Sequence, residues 1–425
     1  MDLKLLNKDF ILVLIGQIIF LFGNAIMRFA LPLYLLNQTG SAALFGMVSA
    51  CAFVPMILAA PVGGIFADRV NKRHIMVILD FTTAALTLGF TLVLGRMDLI
   101  LLILVTLIIL YGIQGAYQPA VQASIPVLVP KAQIVQANSM VTLVNSLSSL
   151  VGPVIGGAVF GFFGIMPILV VSIICFLASA IMEIFINIPF TPQPNDENIF
   201  KMGLNDIKGS FHYMLYEKKI ILKGSLLVAA INLLLSSCAM IGLPVIVTQH
   251  LGFSASVANS MYGYIEGFMG AGSLAGGILA GVLAKKIGLN KQHIVLLLCG
   301  LMFLPMSIVM FFDFGLWISY FTIAISCFLM MALASFFSVQ MMAFLQIITP
   351  EKMLGEIISC AMCLGMCATP LGQAIYGILY QQFSSYIFAI IFVVVVLTSA
   401  LALGSRKMFI TMNVPALTEV SSRQA

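Results

Sequence analysis

Charge is what this chain has least of. Only 8% of its 425 residues are Asp, Glu, Lys or Arg, against about 25% in an ordinary soluble domain. With 61% hydrophobic residues and a mean hydropathy of +1.13, too few polar side chains exist to cover a water-soluble globule, which excludes that class. Histidine is sparse as well: His74, His212, His250 and His293 all fall at or beyond the ends of the apolar runs. No cluster of His, Cys and carboxylate is therefore available for metal-assisted or nucleophilic chemistry, and no Gly-rich loop ending in Lys-Ser/Thr points to ATP. The chain reads as no enzyme, with no cofactor, no metal and no nucleic-acid partner. Its eight cysteines all sit inside apolar runs, so no disulfide framework is implied. Cys360, Cys363 and Cys367 share a helical face beside Met362 and Met366, a pattern soft enough for Cu(I), but they read as small apolar packing residues.

What remains is lipid-soluble helix. In hydrocarbon every backbone N–H and C=O needs an internal partner, and the apolar runs are far longer than a barrel strand. Runs of about 20 apolar residues give twelve spans, near 10–36, 42–66, 75–95, 99–122, 137–163, 165–189, 220–248, 255–284, 292–312, 315–348, 354–380 and 385–404. The run after Met1–Asp9 is too long for a signal-peptide core and lacks a small-residue cleavage site, so it is retained as the first span. Apart from Arg28 inside that span, the outer loops hold only Arg96; every other Lys and Arg lies on the side of the termini. The positive-inside rule makes that side cytoplasmic, with both termini there and the net charge of +5 mostly restating the bias.

The chain is built twice. A shift of 217 lays Gly46 on Gly263, Gly64 on Gly281 and Pro153 on Pro370, and near the fourth spans the shift becomes 220, laying Ala123–Pro130 on Ala343–Pro350. Four segments follow: a six-helix bundle over 1–190, a linker over 191–219, a second six-helix bundle over 220–404 and a tail over 405–425. Within the linker, Leu204, Ile207, Phe211, Met214 and Leu215 share one face, as in an interfacial amphipathic helix.

One turn concentrates what charge there is. Gly63-Gly64-Ile65-Phe66-Ala67-Asp68-Arg69-Val70-Asn71-Lys72-Arg73 joins the second and third spans. Gly64, Asp68, Arg69, Lys72 and Arg73 resemble the signature of the major facilitator superfamily of secondary transporters. Asn71 stands where that signature has a second Gly, and Asn is the residue next best suited to a left-handed turn. In the second copy Asp68 and Arg69 become Lys285 and Lys286. Tyr117–Pro130 followed by Ala137-Asn138 resembles the fourth-span pattern of the macrolide-efflux and enterobactin-exporter branch of drug:proton antiporters, which commonly lacks the fourth-span Arg of other proton-coupled exporters, as this chain does. Gly152, Pro153, Gly156 and Gly157 resemble the core of the antiporter motif in the fifth span, and the eighth span answers with Gly263, Gly267, Gly270, Gly277 and Gly281. The resemblance implies an all-α major facilitator fold of two pseudo-symmetric six-helix bundles, with substrate held between them. It also implies a cytoplasmic latch at Gly64, Asp68 and Arg69.

Four ionisable residues lie well inside the spans: Arg28, Asp80, Glu183 and Glu266. Each is expensive in lipid and so a functional candidate. Glu183 is close enough to the end of its span to snorkel, and Asp80, two turns past Arg73, reads as a partner of the basic loop or as a proton carrier. Glu266, mid-span with Asn259 and Tyr262 on its face, is the first choice for proton coupling or for meeting a cationic substrate. Polar stripes on the first, fourth and fifth spans face protein or a wet cavity, so Asn24, Arg28, Gln114, Gln118 and Asn145 join Tyr262 as substrate-cavity candidates. The expected function is a monomeric cytoplasmic-membrane exporter of a small lipophilic or amphipathic, drug-like compound, driven by proton antiport through alternating access. A dedicated metabolite or siderophore exporter is the alternative within that class, and a non-transporting membrane sensor on the same scaffold the alternative outside it.

Overall fold

A computed structural model of the chain describes residues 7–130, 133–188, 209, 211–283, 287–312, 314–349 and 354–411, the side chains of 60–69, 135, 354–356 and 411 excepted. Twelve helices are long and apolar enough to cross a membrane, and no strand occurs among the described residues. We number them α1 Lys8–Thr39, α2 Ala42–Arg69, α3 Lys72–Val93, α4 Leu99–Leu128, α5 Ile134–Phe163 and α6 Ile165–Ile184. The second six are α7 Lys219–His250, α8 Ala255–Leu283, α9 Leu289–Phe311, α10 Leu316–Ile348, α11 Leu354–Gln382 and α12 Ile387–Thr411.

Local chemistry sets the ends. Gly40 stops α1 in the left-handed conformation, φ 63°, with its N–H bonded to the Leu36 carbonyl. Asp98 opens α4 by accepting from the Leu101 N–H at 2.9 Å. Asn71 plays the same part for α3, accepting from the Arg73 N–H at 3.1 Å. Its φ is −58°, so the left-handed turn expected there does not form; Asn is used for its capping oxygen, not for its tolerance of positive φ. Helix α4 runs six residues past the expected end at 122, through Pro119 and Pro126, because neighbouring helices in a membrane fold satisfy the carbonyls a proline frees. Helix α6 instead stops at Ile184, short of 189.

The helices group into two compact units that cut across the two repeats. The first holds the described residues up to 188 with 240–270 and 370–382; the second holds those of 198–239, 271–369 and 383–411. In the first unit small residues let backbones meet: a Cβ on Gly23 would lie 2.9 Å from Cys175 Cβ, joining α1 to α6, and one on Gly115 would lie 2.7 Å from the Met56 carbonyl, joining α4 to α2. In the second unit α8 to α10 and α12 bury Ala280, Leu296, Phe336, Phe337, Phe344 and Phe409 with Leu227 of α7. Of the linker, only 209 and 211–219 are described: Tyr213–Glu217 is a single π-helical turn with Tyr213 and Met214 buried. The amphipathic face expected from Leu204 and Ile207 lies outside the described residues.

Candidate functional site

The first unit contains a seam between the two repeats. On one side, a Cβ built on Gly46 of α2 would lie 2.7 Å from Gly377 Cα and 2.6 Å from the Gln373 carbonyl of α11. On the other, a Cβ on Gly263 of α8 would lie 2.9 Å from Gly157 Cα and 2.5 Å from the Pro153 carbonyl of α5. The two contacts are one contact twice. A shift of 217 carries Gly46 to Gly263, and a shift of 220 carries Pro153 to Gln373 and Gly157 to Gly377. The register expected for the fifth span, Pro153 upon Pro370, is thus one turn off: the 220 shift of the fourth spans continues into the next helix. Two hydrogen bonds cross the seam, Ser260 Oγ donating to the Gly157 carbonyl at 3.3 Å and Asn37 Nδ2 to Asn259 Oδ1 at 2.8 Å. Of the antiporter-like residues, Gly152 meets Ala25 and Gly156 meets Phe29 and Ile26, both on α1.

Glu266 sits one turn beyond Gly263. Tyr262 donates its hydroxyl to Glu266 Oε1 at 2.9 Å, and the Tyr262 ring stacks on Phe29 with centroids 5.1 Å apart. Asn259, on the same helix, is occupied by Asn37 instead. The other two acids are deeper. Asp80 and Glu183 are both fully buried and lie close enough to interact electrostatically. Tyr117 donates to Glu183 Oε1 at 2.8 Å, while Ser179, one turn before Glu183, donates to the Gly16 carbonyl at 3.0 Å. Ser179 also lies within reach of the Asp80 carboxyl, and Glu183 Oε2 has no hydrogen-bond partner among the described residues.

Two expectations change here. Glu183 does not snorkel: it is near the end of α6, but its face of the helix meets Gly16 of α1 and Tyr117 of α4, with a Cβ on Gly16 only 3.3 Å from Glu183 Cγ. Asp80 does not turn back to the basic loop. Among the described residues its charged neighbour is another acid.

Arg28 has a different setting. One terminal nitrogen donates to Gln114 Oε1, and the guanidinium lies over the Tyr111 ring at 4.0 Å from its centroid. Asn24, Arg28, Gln114 and Asn145 line one cavity of about 370 Å³ with Ser146, Ser148 and Ser149. Gln118 joins it indirectly, donating to Asn145 Oδ1 at 3.4 Å, whereas Tyr262 belongs to Glu266. In the charged turn, the Asp68 and Arg69 side chains lie outside the described residues. Lys72 and Arg73 begin α3.

The family model described as Major Facilitator Superfamily matches residues 13–223. The chain belongs to the major facilitator superfamily. It is 27% identical over 175 residues to macrolide efflux protein A of Streptococcus pyogenes, a match covering 41% of this chain and 43% of that protein. The chain thus spans less than half the length of that relative. It is also 27% identical over 291 residues to multidrug resistance protein MdtG of Salmonella paratyphi C, covering 66% and 67%. The fold is that of a crystal structure of a bacterial homologue of the iron transporter ferroportin in an inward-facing state: TM-score 0.72 over 94% of this chain and 99% of that one, at 16% identity.

Sequence reading missed one feature of this transporter. In the second unit a cavity of about 440 Å³ is lined by Asn232, Ser236, Met331, Met342, Met366 and Ser335, among others. Asn232–Ser236 form a π-helical turn in α7, a distortion often found at functional sites. Asn232 Nδ2 donates to the Gly365 carbonyl at 3.0 Å, and Ser236 Oγ to Asn232 Oδ1 at 3.1 Å. An inserted residue in a helix leaves no mark in apolar periodicity. The signal available was the run Asn232 to Ser237, where polar residues bracket three leucines.

Proposed function

We propose that this transporter is a secondary active exporter of small amphipathic or lipophilic compounds, exchanging them for protons by alternating access in the cytoplasmic membrane, with both termini inside. The observation that carries this reading is the position of Glu266. The carboxyl stands one turn from the Gly157–Gly263 contact, on the same helix, tied to Tyr262 at 2.9 Å. Parting the seam changes the water around it, and a carboxyl that alternates between dry and wet surroundings alternates between holding and releasing a proton. Asp80 is the second proton candidate, now with Glu183 beside it and both side chains fully buried. The names of the macrolide and multidrug relatives support efflux of drug-like compounds.

In this scheme Gly64, Asp68, Arg69, Lys72 and Arg73 form the cytoplasmic latch, and Gly152, Pro153, Gly156 and Gly157 the flexible side of the seam. The test is proton movement in proteoliposomes on addition of ethidium, chloramphenicol or fusidate, one cation, one neutral compound and one anion. The wild type should show substrate-induced proton flux with at least one of them, and Glu266→Gln should abolish that flux. Undiminished flux in Glu266→Gln, with loss in Asp80→Asn, would move the coupling to the buried pair. No flux with any compound would overturn the export reading.

A further inference from the structure

Arg28 is a positive charge inside the first span with no acid beside it among the described residues. Guanidinium keeps its proton at any accessible pH, so it cannot be made neutral as a carboxyl can. Its contacts are a neutral amide, Gln114, and a ring face, Tyr111. Among the described residues it forms no ion pair, and Nε has no hydrogen-bond partner. The described acids well inside the spans are placed elsewhere: Glu266 with Tyr262, Glu183 with Tyr117, and Asp80 beside Glu183. An uncompensated cation in a low-dielectric region is costly, and a counter-charge is what the site lacks.

The cavity around it is built to supply the remaining contacts. Asn24 is 1% exposed, lines the cavity, and has neither amide atom bonded among the described residues. A buried primary amide left without partners is rare in a finished structure and marks a group waiting for one. Ser148 of α5 adds a hydroxyl to the lining, while that of Ser149 already donates to the Ser146 carbonyl at 2.8 Å. A cation with a planar fork of donors, an amide N–H and a hydroxyl around one cavity is a set for an anion, and the fork suits a carboxylate best.

The geometry points to a carboxylate-bearing solute as the cargo: we infer that Arg28 and Asn24 bind the carboxylate of a small amphipathic acid, narrowing the drug-like class of the export reading, on which this inference rests. Gln114 holds the guanidinium in place, and the Tyr111 ring packs against its face. A cationic drug would meet like charge in this cavity and bind poorly there.

Binding and transport are measured separately so that the two ideas fail separately. In neutral detergent, the fluorescence of dansylglycine should rise on binding wild-type protein, with at least tenfold tighter binding than its methyl ester. Arg28→Met should remove that preference, while Arg28→Lys, which keeps the charge but not the fork, should keep part of it. Asn24→Leu should weaken dansylglycine without affecting the ester. A size-exclusion profile matching the wild type shows that each variant is folded. Equal binding of acid and ester to the wild type, or an unchanged preference in folded Arg28→Met, would overturn the inference even if export of other compounds persists. Displacement by dihexanoylphosphatidylglycerol but not by acetate would make the cavity a lipid site and overturn it as well. Preferential binding with no flux into proteoliposomes would instead sustain the site and count against export.

Discussion

Gly157→Ala is the sharpest perturbation of the seam. The added Cβ would stand 2.8 Å from Gly263 Cα and 2.9 Å from the Asn259 carbonyl oxygen. Both neighbours are backbone, so neither can rotate away. Carbons rest comfortably at about 3.5–4.0 Å, leaving the contact roughly 0.7–1.2 Å short, and α5 must draw back from α8 by about that much. Overpacking of this kind costs about 1–3 kcal/mol, incurred only while the seam is shut. At about 1.4 kcal/mol per factor of ten, the shut state should be depleted by roughly 5- to 150-fold relative to the open one. Alanine favours helix over glycine by about 1 kcal/mol, so a loss of function would not come from a weakened α5. The assay uses a Cys-free background carrying Ser260→Cys, a position 2% exposed and bonded across the seam. Labelling of the introduced thiol by an impermeant maleimide added outside should accelerate by that factor in Gly157→Ala, and substrate efflux should fall. Gly377→Ala, with a Cβ 2.9 Å from the Ala42 carbonyl and 3.0 Å from Gly46 Cα, should behave alike. Gly277→Ala, whose nearest outside neighbour is Ser335 Oγ at 3.8 Å, should do nothing. Unchanged labelling and transport in Gly157→Ala would refute the seam as a gate.

Three further outcomes follow from the same geometry. A single Cys at position 96 should react with an impermeant thiol reagent from outside and one at position 71 should not; the reverse pattern would invert the topology. Asp68→Asn should insert normally and lose most transport, and wild-type efflux at normal expression would remove the latch. Glu183→Gln keeps an oxygen to accept from Tyr117 while taking one acid out of a buried pair with no cation among the described residues. It should express and melt no lower than wild type, and a large drop in melting temperature would show that Glu183 has a counter-charge after all.

Much of this was legible in the residues because the bilayer leaves a chain few options. Twelve apolar runs had to be helices, and the repeated pair Gly46 and Gly263 marked close approach, though a Cβ on Gly281, the counterpart of Gly64, would meet no described neighbour within 4 Å. Arg28, Gln114 and Asn145 could be assembled from stripes on three helices, since a polar stripe in lipid has only protein or water to face. Face was harder than depth. Glu183 is two residues from the start of a non-helical segment, so its position along α6 suggested water; its azimuth, towards Gly16 and Tyr117, decided otherwise. Asp80 shows the same limit, because helical spacing from Arg73 says nothing about which neighbour α3 turns that face towards. Asn71 failed for a different reason: capping and left-handed turns both favour Asn, and sequence alone does not separate them.

The seam also explains why one half carries the ionisable group. Its two glycine contacts are related by the repeat, so closing one without the other would break the pseudo-symmetry of the pair, and a single motion serves both. Their surroundings are not related. The shift of 217 that carries Gly46 to Gly263 carries Ser49 to Glu266, Phe45 to Tyr262 and Ala42 to Asn259. The α2–α11 contact has Ser49, Phe45 and Ala42 at those positions, with Gln381 Oε1 accepting from the Ala43 N–H at 3.4 Å. The α5–α8 contact has the same backbone approach with a carboxyl, a phenol and an amide added beside it. Duplication supplies the backbone approach twice, and divergence of three positions on one helix places an acid beside only one copy, the asymmetry on which the proposed coupling rests. Restoring the first-half residues at those positions, Glu266→Ser with Tyr262→Phe and Asn259→Ala, is tested in the same Ser260→Cys background. The thiol at position 260 should stay as protected as it is without the three changes, and proton-coupled flux should be abolished. A variant that instead exposed that thiol would show that the polar residues hold the seam shut rather than couple it.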